Sequence, residues 1–285
     1  MTSATPPETP ASRGLLAVFA HPDDESFGAG GTLALTAAAG EPVYLICATN
    51  GDEGGEADEA GDHAMDPEIR RNELRCACSA MGIAEPIFLG YRDSGMETWT
   101  PKPGAFVLAD EDEVVARIAS EIRRLRPSAV ITFDPGGIYG HPDHVTISKR
   151  ATAAFERAHA EPGGPAVLYH QVMTRADVEQ MVQRWAIQAT ASGEAREPTG
   201  DDLLQQRRFM ELSRPDDEVT TVVDVRSVVD RKLAALACHE SQMRNEMADP
   251  AVREAMVNFL GTEKFVRVVP PPAPGEHETR LRGLD

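Results

Sequence analysis

Two polar segments of the sequence carry residues that could do metal chemistry. The first reads HPDDE at 21–25, and the second reads DPGGIYGHPDH at 134–144. Together they supply three histidines and four aspartates. Imidazole and carboxylate ligands suit zinc and other divalent first-row metals, and the lack of thiolates argues against an iron–sulfur cluster. The two segments therefore predict a hydrolytic metal site.

The residues of these segments can be divided into ligands and acid–base groups. Catalytic zinc usually takes three protein ligands and keeps one position for a water, whose pKa falls to about 7 in such sites. His21, Asp24 and His144 form one such ligand set. Asp23 is then left as the general base for the water, and His141 is left as the general acid.

Short apolar runs precede both polar segments and recur along the chain. They alternate with helical patterns and lie at 15–20, 43–47, 86–89, 129–133 and 166–169. Continuous apolar runs are typical of strands buried on both faces, so they predict parallel βαβ units with right-handed crossovers. The predicted fold is α/β, with a Rossmann-like, doubly wound, mostly parallel sheet. Because ligands bind outside the carboxyl ends of such strands, this fold would bring the two segments together.

The last third of the chain is less regular and predicts a C-terminal elaboration of the sheet. We expect an exposed loop at 188–202, a strand at 220–225, a long helix at 228–247 and a strand at 264–269. One domain over 14–269 accounts for these elements. We expect a disordered leader at 1–13 and a disordered, proline-rich tail at 270–285 with too little apolar content to pack.

Composition and charge restrict the class of protein. The 285 residues carry 28 Lys and Arg against 46 Asp and Glu, a net charge of −18, which disfavours nucleic acid as a partner. The first 13 residues have no basic or apolar signal region, and no run approaches the roughly 18 apolar residues of a membrane span. Four cysteines without a C-x-x-C pair predict reduced thiols rather than disulfides. These features favour a cytoplasmic enzyme.

The polar segments also carry a family resemblance. AHPDDE at 20–25 and YGHPDH at 139–144 resemble the motifs of the LmbE-like (PIG-L) zinc-dependent N-acetylglucosaminyl deacetylases. The resemblance continues through R-x-x-E at 70–73, RDSGM at 92–96 and KLAALACHESQ at 232–242, and it spans roughly residues 14–245. Within that family, the segments resemble those of the mycothiol-pathway deacetylase subgroup.

This resemblance implies roles for further residues. It implies the metal ligands His21, Asp24 and His144 and the general base Asp23, as assigned above. It implies that His141 stabilises the oxyanion or protonates the leaving amine, and that Asp143 orients His141. It also implies that Tyr139 polarises the substrate carbonyl and that Arg70 and Asp93 contact the sugar.

The implied reaction is removal of the N-acetyl group from a small N-acetylglucosamine glycoside. The implied cofactor is Zn²⁺, although Fe²⁺ can occupy such a site under reducing conditions. The partner is a small N-acetylated sugar, and homo-oligomerisation is left open. Two alternatives also stay open: a mycothiol S-conjugate amidase or related amidase, and a non-catalytic sugar-binding relative, which the intact set of ligands and base disfavours.

A dinucleotide-binding dehydrogenase is a weaker alternative. Glycines at 28, 30 and 31 follow a predicted strand and open a helix. The fingerprint G-x-G-x-x-G/A requires a small residue at position 33, where this chain has Leu33. The glycines therefore do not indicate a nucleotide site.

An acidic run at 51–66 follows the second predicted strand and contains seven acids. Its simplest interpretation is a solvated loop. Because it lies on the side of the sheet that carries the polar segments, a mobile lid over the metal site is the alternative.

Overall fold

One mixed sheet organises the chain. The computed structural model describes residues 14–55, 63–96, 100–191, 199–242 and 250–284. Within them the strands are β1 (Leu15–Phe19), β2 (Val43–Thr49), β3 (Ile87–Tyr91), β4 (Ala129–Phe133), β5 (Val167–Gln171), β6 (Thr221–Asp224) and β7 (Thr262–Val269). Their order is β3-β2-β1-β4-β5-β7-β6, with β1 to β5 parallel and β7 antiparallel to β5 and β6. The predicted α/β fold with a mostly parallel sheet is confirmed.

Helices cover both faces of this sheet. They are α1 (Asp24–Gly28), α2 (Gly30–Ala38), α3 (Pro67–Met81), α4 (Glu111–Leu125), α5 (Gly137–Gly140), α6 (Pro142–His159), α7 (Arg175–Ala191), α8 (Gly200–Leu212), α9 (Val229–Cys238) and α10 (Pro250–Leu260). Local sequence explains several boundaries. Asp66 caps α3, Pro67 occupies its first turn, and Gly82 ends it in a left-handed conformation. None of the helices in the described ranges is long and apolar enough to cross a membrane.

The central strands form the core and end at the candidate site. β1 and β4 are buried along their whole length. β1 lies between β2 and β4, so the chain leaves it in one direction for β2 and β3 and in the other for β4 and β5. A crevice opens at such a switch point, outside the carboxyl ends of the strands. Phe19 and Phe133, the last residues of β1 and β4, pack with ring centroids 4.8 Å apart directly before the two polar segments.

The C-terminal third differs from the sequence prediction in its helices. The expected helix over 228–247 ends at Cys238, because His239 has non-helical angles (φ −86°, ψ 56°) and its ring is buried. The expected loop over 188–202 is helical up to Ala191 and again from Gly200. Residues 192–198 of that loop, residues 243–249 and the predicted leader at 1–13 lie outside the described residues.

The tail predicted to be disordered at 270–285 is packed over the residues described, 270–284. Its backbone pairs with β6 at Glu278, whose carbonyl accepts the Val222 amide and whose amide donates to the Thr220 carbonyl just before the strand. The guanidinium of Arg267, which is 1% exposed, binds Glu276 and Glu278 at 2.7 and 2.8 Å. A buried cation needs such anionic partners. The prediction was wrong because it counted apolar residues alone, whereas ion pairs to a buried arginine also hold this segment, together with Leu281, which is 3% exposed.

Two of the four cysteines form a disulfide, contrary to the expectation of reduced thiols. Cys76 in α3 and Cys238 at the end of α9 are bonded, with their Cα atoms 5.7 Å apart. The helices α3 and α9 pack side by side, but the cysteines are 162 residues apart in sequence. Local spacing therefore could not reveal the pair. Cys47 and Cys78 are free and buried.

This disulfide gives a first testable prediction. Thiol titration of unfolded, non-reduced protein should find two thiols, and four after reduction. Cys238→Ser should lower the free energy of unfolding of the oxidised protein by about 2–4 kcal/mol, because a cross-link over a long loop restricts the unfolded chain. Under reducing conditions the difference between variant and wild type should shrink. Four titratable thiols without reduction would show that the cross-link does not form.

Candidate active site

A cavity of about 210 Å³ opens at the carboxyl ends of β1 and β4. Seven of the nine residues predicted for the site line it, namely His21, Asp23, Asp24, Arg70, Asp93, Tyr139 and His141. The other two, Asp143 and His144, are buried and contact His21 from the first turn of α6. The fold thus brings all nine predicted residues to one place.

Three predicted ligand groups converge within this cluster. His21 Nδ1 lies 3.1 Å from His144 Nε2. Asp24 Oδ1 lies 3.1 Å from His144 Nε2, and Asp24 Oδ2 lies 3.6 Å from His21 Nδ1. A tetrahedral zinc with bonds of 2.0–2.1 Å separates its ligand atoms by about 3.3 Å. Two imidazole nitrogens and a carboxylate oxygen thus lie within reach of one small divalent cation, and ring nitrogens of His21, His141 and His144 also lie within 4.8 Å of one another.

Backbone and aromatic contacts fix the orientation of these groups. The amides of Ala20 and His21 donate to Asp24 Oδ2 at 3.1 and 2.7 Å, so the end of β1 positions this carboxylate. The ring of His144 stacks on Phe133 at 4.2 Å. The groups are thus held in place by the fold itself, which is the preorganisation that a metal site requires.

Asp143 contacts a different histidine from the one that the family resemblance implies. Its carboxylate lies 3.2 Å from His21 Nε2 and accepts hydrogen bonds from the backbone and hydroxyl of Ser94. Only its backbone amide reaches His141, donating to Nδ1 at 3.1 Å. The expectation that the Asp143 carboxylate orients His141 is therefore corrected. A carboxylate in this position can support an imidazole whose other nitrogen faces a cluster of metal-ligand types.

Carboxylates dominate the electrostatics around His21. Burial lowers the pKa of His21, but Asp93, Asp143 and Asp24 outweigh it and hold the pKa well above its usual value. Burial in turn raises the pKa of Asp24, yet His144 and His21 bring it below its usual range. A site that favours a protonated imidazole also favours a metal cation in the same position, since both respond to the same negative field.

Asp23 is the more accessible carboxylate of the pair, with 18% of its side chain exposed against 9% for Asp24. Burial and the neighbouring Asp24 raise its pKa to about 6, although Arg70 opposes the shift. Its backbone has a φ of 127°, a conformation that costs a non-glycine residue about 1–3 kcal/mol. The structure therefore holds this residue in place against local strain.

Arg70 contacts Asp23 directly. Its guanidinium, 3% exposed, donates to Asp23 Oδ2 at 2.8 Å and to the backbone carbonyls of Pro22 and Gly51. A Cβ at Gly51, which has a φ of +65°, would lie 2.6 Å from Arg70 Nη1, so glycine leaves space for this side chain. Arg70 and Asp93 both line the cavity. Their predicted contacts with a sugar stay predictions.

His141 and Tyr139 form another wall of the cavity. His141 Nδ1 accepts the Asp143 amide, which places the imidazole proton on Nε2. Burial, together with His21 and His144, lowers the pKa of His141 to about 2, so it is neutral near pH 7. Burial and the nearby carboxylates raise the pKa of the Tyr139 phenol well above its usual value. Both groups are thus potential neutral hydrogen-bond donors.

Sequence reasoning missed several residues of the site. Glu53, Met96 and Gln242 line the cavity. Glu53 belongs to the acidic run predicted to be a solvated loop, yet it is 6% exposed and binds Arg92 and Lys102 at 2.6 and 2.8 Å. The position of Glu53, four residues after the carboxyl end of β2, could have predicted that it lies near the site. Residues 56–62 of that run lie outside the described ranges, and a lid there stays a prediction.

Comparison with known proteins agrees with this geometry. Residues 16–155 match the family model described as PIG-L, GlcNAc-PI de-N-acetylase. A 1D-myo-inositol 2-acetamido-2-deoxy-alpha-D-glucopyranoside deacetylase from Kineococcus radiotolerans is 37% identical over 305 residues, covering 96% of this chain and 82% of its own. The chain belongs to the PIG-L family. The resemblance predicted from the motifs is confirmed.

Two further relatives extend the comparison of this PIG-L family member. A protein of the same description from Rhodococcus jostii is 37% identical over 288 residues, covering 90% of this chain and 92% of its own. The solved structure of N,N'-diacetylchitobiose deacetylase from Pyrococcus horikoshii superposes with a TM-score of 0.60 at 18% identity, covering 90% of this chain and 84% of that one. The latter likeness establishes the fold.

Proposed function

We propose that the protein is a metal-dependent hydrolase that removes the N-acetyl group from a small N-acetylglucosamine glycoside. The observation that carries this proposal is the convergence of His21, Asp24 and His144 beside the accessible carboxylate of Asp23 in one cavity. Two relatives at 37% identity are described as deacetylases of an inositol glycoside of N-acetylglucosamine. Their substrate supports a sugar linked to a polyol as the substrate class.

Zn²⁺ is the proposed metal, held by His21, Asp24 and His144. Two imidazoles and one carboxylate match the ligand types of catalytic zinc sites, and ferrous iron accepts the same donors. When bound, such a metal acts as a Lewis acid that polarises a carbonyl and lowers the pKa of water to about 7. Metal analysis of protein purified with and without air would distinguish the two ions.

Asp23 is the proposed general base. The hydrogen bond from Arg70 goes to its Oδ2, so Oδ1 is the oxygen that takes a proton from the attacking water. A carboxylate with a pKa near 6 is ionised at neutral pH and is a stronger base than an ordinary aspartate. Addition of hydroxide to the amide carbonyl then gives a tetrahedral oxyanion.

His141 and Tyr139 are proposed to stabilise this oxyanion by donating hydrogen bonds from Nε2 and the phenol. Because His141 is neutral, it acts as a hydrogen-bond donor, and Asp23 passes its proton to the leaving amine. Breaking the carbon–nitrogen bond then releases acetate and the free amine. Each oxyanion donor is expected to contribute about 100- to 1,000-fold to kcat.

A substrate panel tests the proposed function. Metal-loaded protein should release acetate and a primary amine from 1D-myo-inositol 2-acetamido-2-deoxy-α-D-glucopyranoside. N-acetylglucosamine and N,N'-diacetylchitobiose serve as comparison sugars, and a mycothiol S-conjugate tests the amidase alternative. Release from the conjugate alone would replace the deacetylase with an amidase, and no release from any compound would contradict both.

The corrected contact of Asp143 yields another prediction. Asp143→Asn keeps the backbone amide that binds His141 but loses the negative charge beside His21. We expect metal affinity to fall about 10- to 100-fold, with kcat at saturating metal changing little. Competition with a chromophoric chelator measures the affinity, and Asp110→Asn at the start of α4 is the control. Unchanged affinity with a lower kcat would instead support a role on His141.

A further inference from the structure

A buried pair, Glu25 and His239, lies behind the proposed base and has no part in the mechanism above. Glu25 is 1% exposed and His239 is fully buried. His239 Nε2 lies 2.9 Å from Glu25 Oε1, which also accepts the hydroxyl of Ser26. His239 is contributed by the C-terminal end of α9, 214 residues away in the sequence.

The other oxygen of Glu25 reaches the backbone of Asp23. Glu25 Oε2 accepts the Asp23 amide at 3.1 Å, although the two residues are only two apart. This amide belongs to the residue whose φ is 127°, at the junction between β1 and α1. One carboxylate thus joins a strained backbone on one side to a fixed imidazole on the other.

A second set of contacts fixes the end of α9 near the cavity. Ser241 donates from its amide and its hydroxyl to the carboxylate of Glu73 in α3, both at 2.7 Å. Gln242 lines the cavity, and its backbone amide donates to the His239 carbonyl. The backbone just after His239 is therefore bound to α3, the helix that also contributes Arg70 to the cavity.

We propose that Glu25 and His239 are positioning residues for the general base, holding the Asp23 backbone so that its carboxylate faces the cavity. This inference rests on the proposed function of Asp23. Arg70 constrains the side chain of Asp23, whereas the Glu25–His239 pair constrains its main chain. Without the pair, the strained backbone is free to relax and the carboxylate moves away from the attacking water.

The expected effect is on turnover. A displacement of about 1 Å at a catalytic group can cost roughly 100-fold in rate. His239→Leu should therefore lower kcat about 100-fold while leaving KM and bound metal within about twofold of wild type. His239→Gln should recover most of kcat, since its amide nitrogen can donate to Glu25 from a similar position.

The same helix provides a matched control. Lys232 of α9 forms another buried ion pair, with Glu263 at 2.6 Å, and both residues are 1% exposed at the side chain. Glu263 accepts the amides of Gly31 and Thr32 at the start of α2 and does not contact Asp23. Lys232→Met should lower the melting temperature and leave kcat unchanged.

A double-mutant cycle decides between positioning and general structural support. In an Asp23→Ala background, His239→Leu should cause no further loss of kcat, because the group that it positions is gone. If His239→Leu does not fold, Glu25→Gln replaces it in the cycle. This near-isosteric change leaves one acceptor oxygen for three donors, namely His239 Nε2, the Ser26 hydroxyl and the Asp23 amide.

Each result of this experiment has a distinct meaning. Wild-type kcat in folded His239→Leu or Glu25→Gln, or an equal loss in both backgrounds, would overturn the inference. Wild-type protein that releases no acetate would instead contradict the proposed function. A loss in the single variant that disappears in the Asp23→Ala background would support the positioning role.

Discussion

Asp23→Asn is expected to lower kcat for acetate release by about 100- to 10,000-fold, the usual contribution of a general base. The amide matches the carboxylate in shape and can still accept the hydrogen bond from Arg70 through its oxygen. It has no charge and cannot take a proton from water. The loss should therefore appear in kcat, with KM little changed, when steady-state rates are measured at saturating metal.

Metal content separates this loss from damage to the metal site. Asp23→Asn should retain close to wild-type metal, because His21, Asp24 and His144 do not depend on the Asp23 carboxylate for their contacts. Asp23→Glu is a useful companion, since it keeps the charge but moves it by one carbon–carbon bond. If Asp23→Asn lost its metal to the same extent as a ligand variant, the assignment of Asp23 as a base would be wrong.

His144→Ala is expected to lose the bound metal and, with it, nearly all turnover. His144 Nε2 lies 3.1 Å from both His21 Nδ1 and Asp24 Oδ1, so its removal opens the cluster at the centre. Two remaining ligands do not make the three-ligand set of a catalytic zinc site. Elemental analysis after dialysis should find less than about a tenth of the wild-type metal. Loss of a residue that only supports a ligand already lowers metal affinity about tenfold or more, and loss of a ligand should cost at least as much.

His159→Ala is the matched control for this variant. His159 lies in the last turn of the same helix, α6, and is exposed. Its replacement should change neither metal content nor kcat. Full metal occupancy in folded His144→Ala, checked by circular dichroism, would contradict the proposed ligand set.

The metal cluster was predictable because its residues follow directly from strand ends. His21 and Asp24 lie immediately after β1, and His144 lies in the first turn of α6, the second helix after β4. Once continuous apolar runs indicate a parallel sheet, the carboxyl ends of adjacent strands must meet. The structure places these residues together, as that reasoning requires.

The supporting contacts were not predictable in the same way. Asp143 has the residue type expected for the site, but which histidine its carboxylate reaches depends on the direction of the first turn of α6. His239 pairs with Glu25 only because α9 ends beside α1. Contacts that join distant elements depend on tertiary packing, which local spacing does not encode.

The same limit explains the disulfide and the C-terminal tail. Cys76 and Cys238 meet because α3 and α9 are neighbours, and the acids at 276 and 278 pack because Arg267 is buried beneath them. Apolar periodicity detects cores, but it gives no signal for segments that are held by a cross-link or by buried charge.

Reconstitution of metal-free protein tests the central claim most directly. Protein stripped by a chelator should not release acetate from 1D-myo-inositol 2-acetamido-2-deoxy-α-D-glucopyranoside. Added Zn²⁺ or, without air, Fe²⁺ should restore the rate in proportion to bound metal and reach a plateau at one ion per chain. Acetate release at the full rate by protein shown to be metal-free would contradict the account.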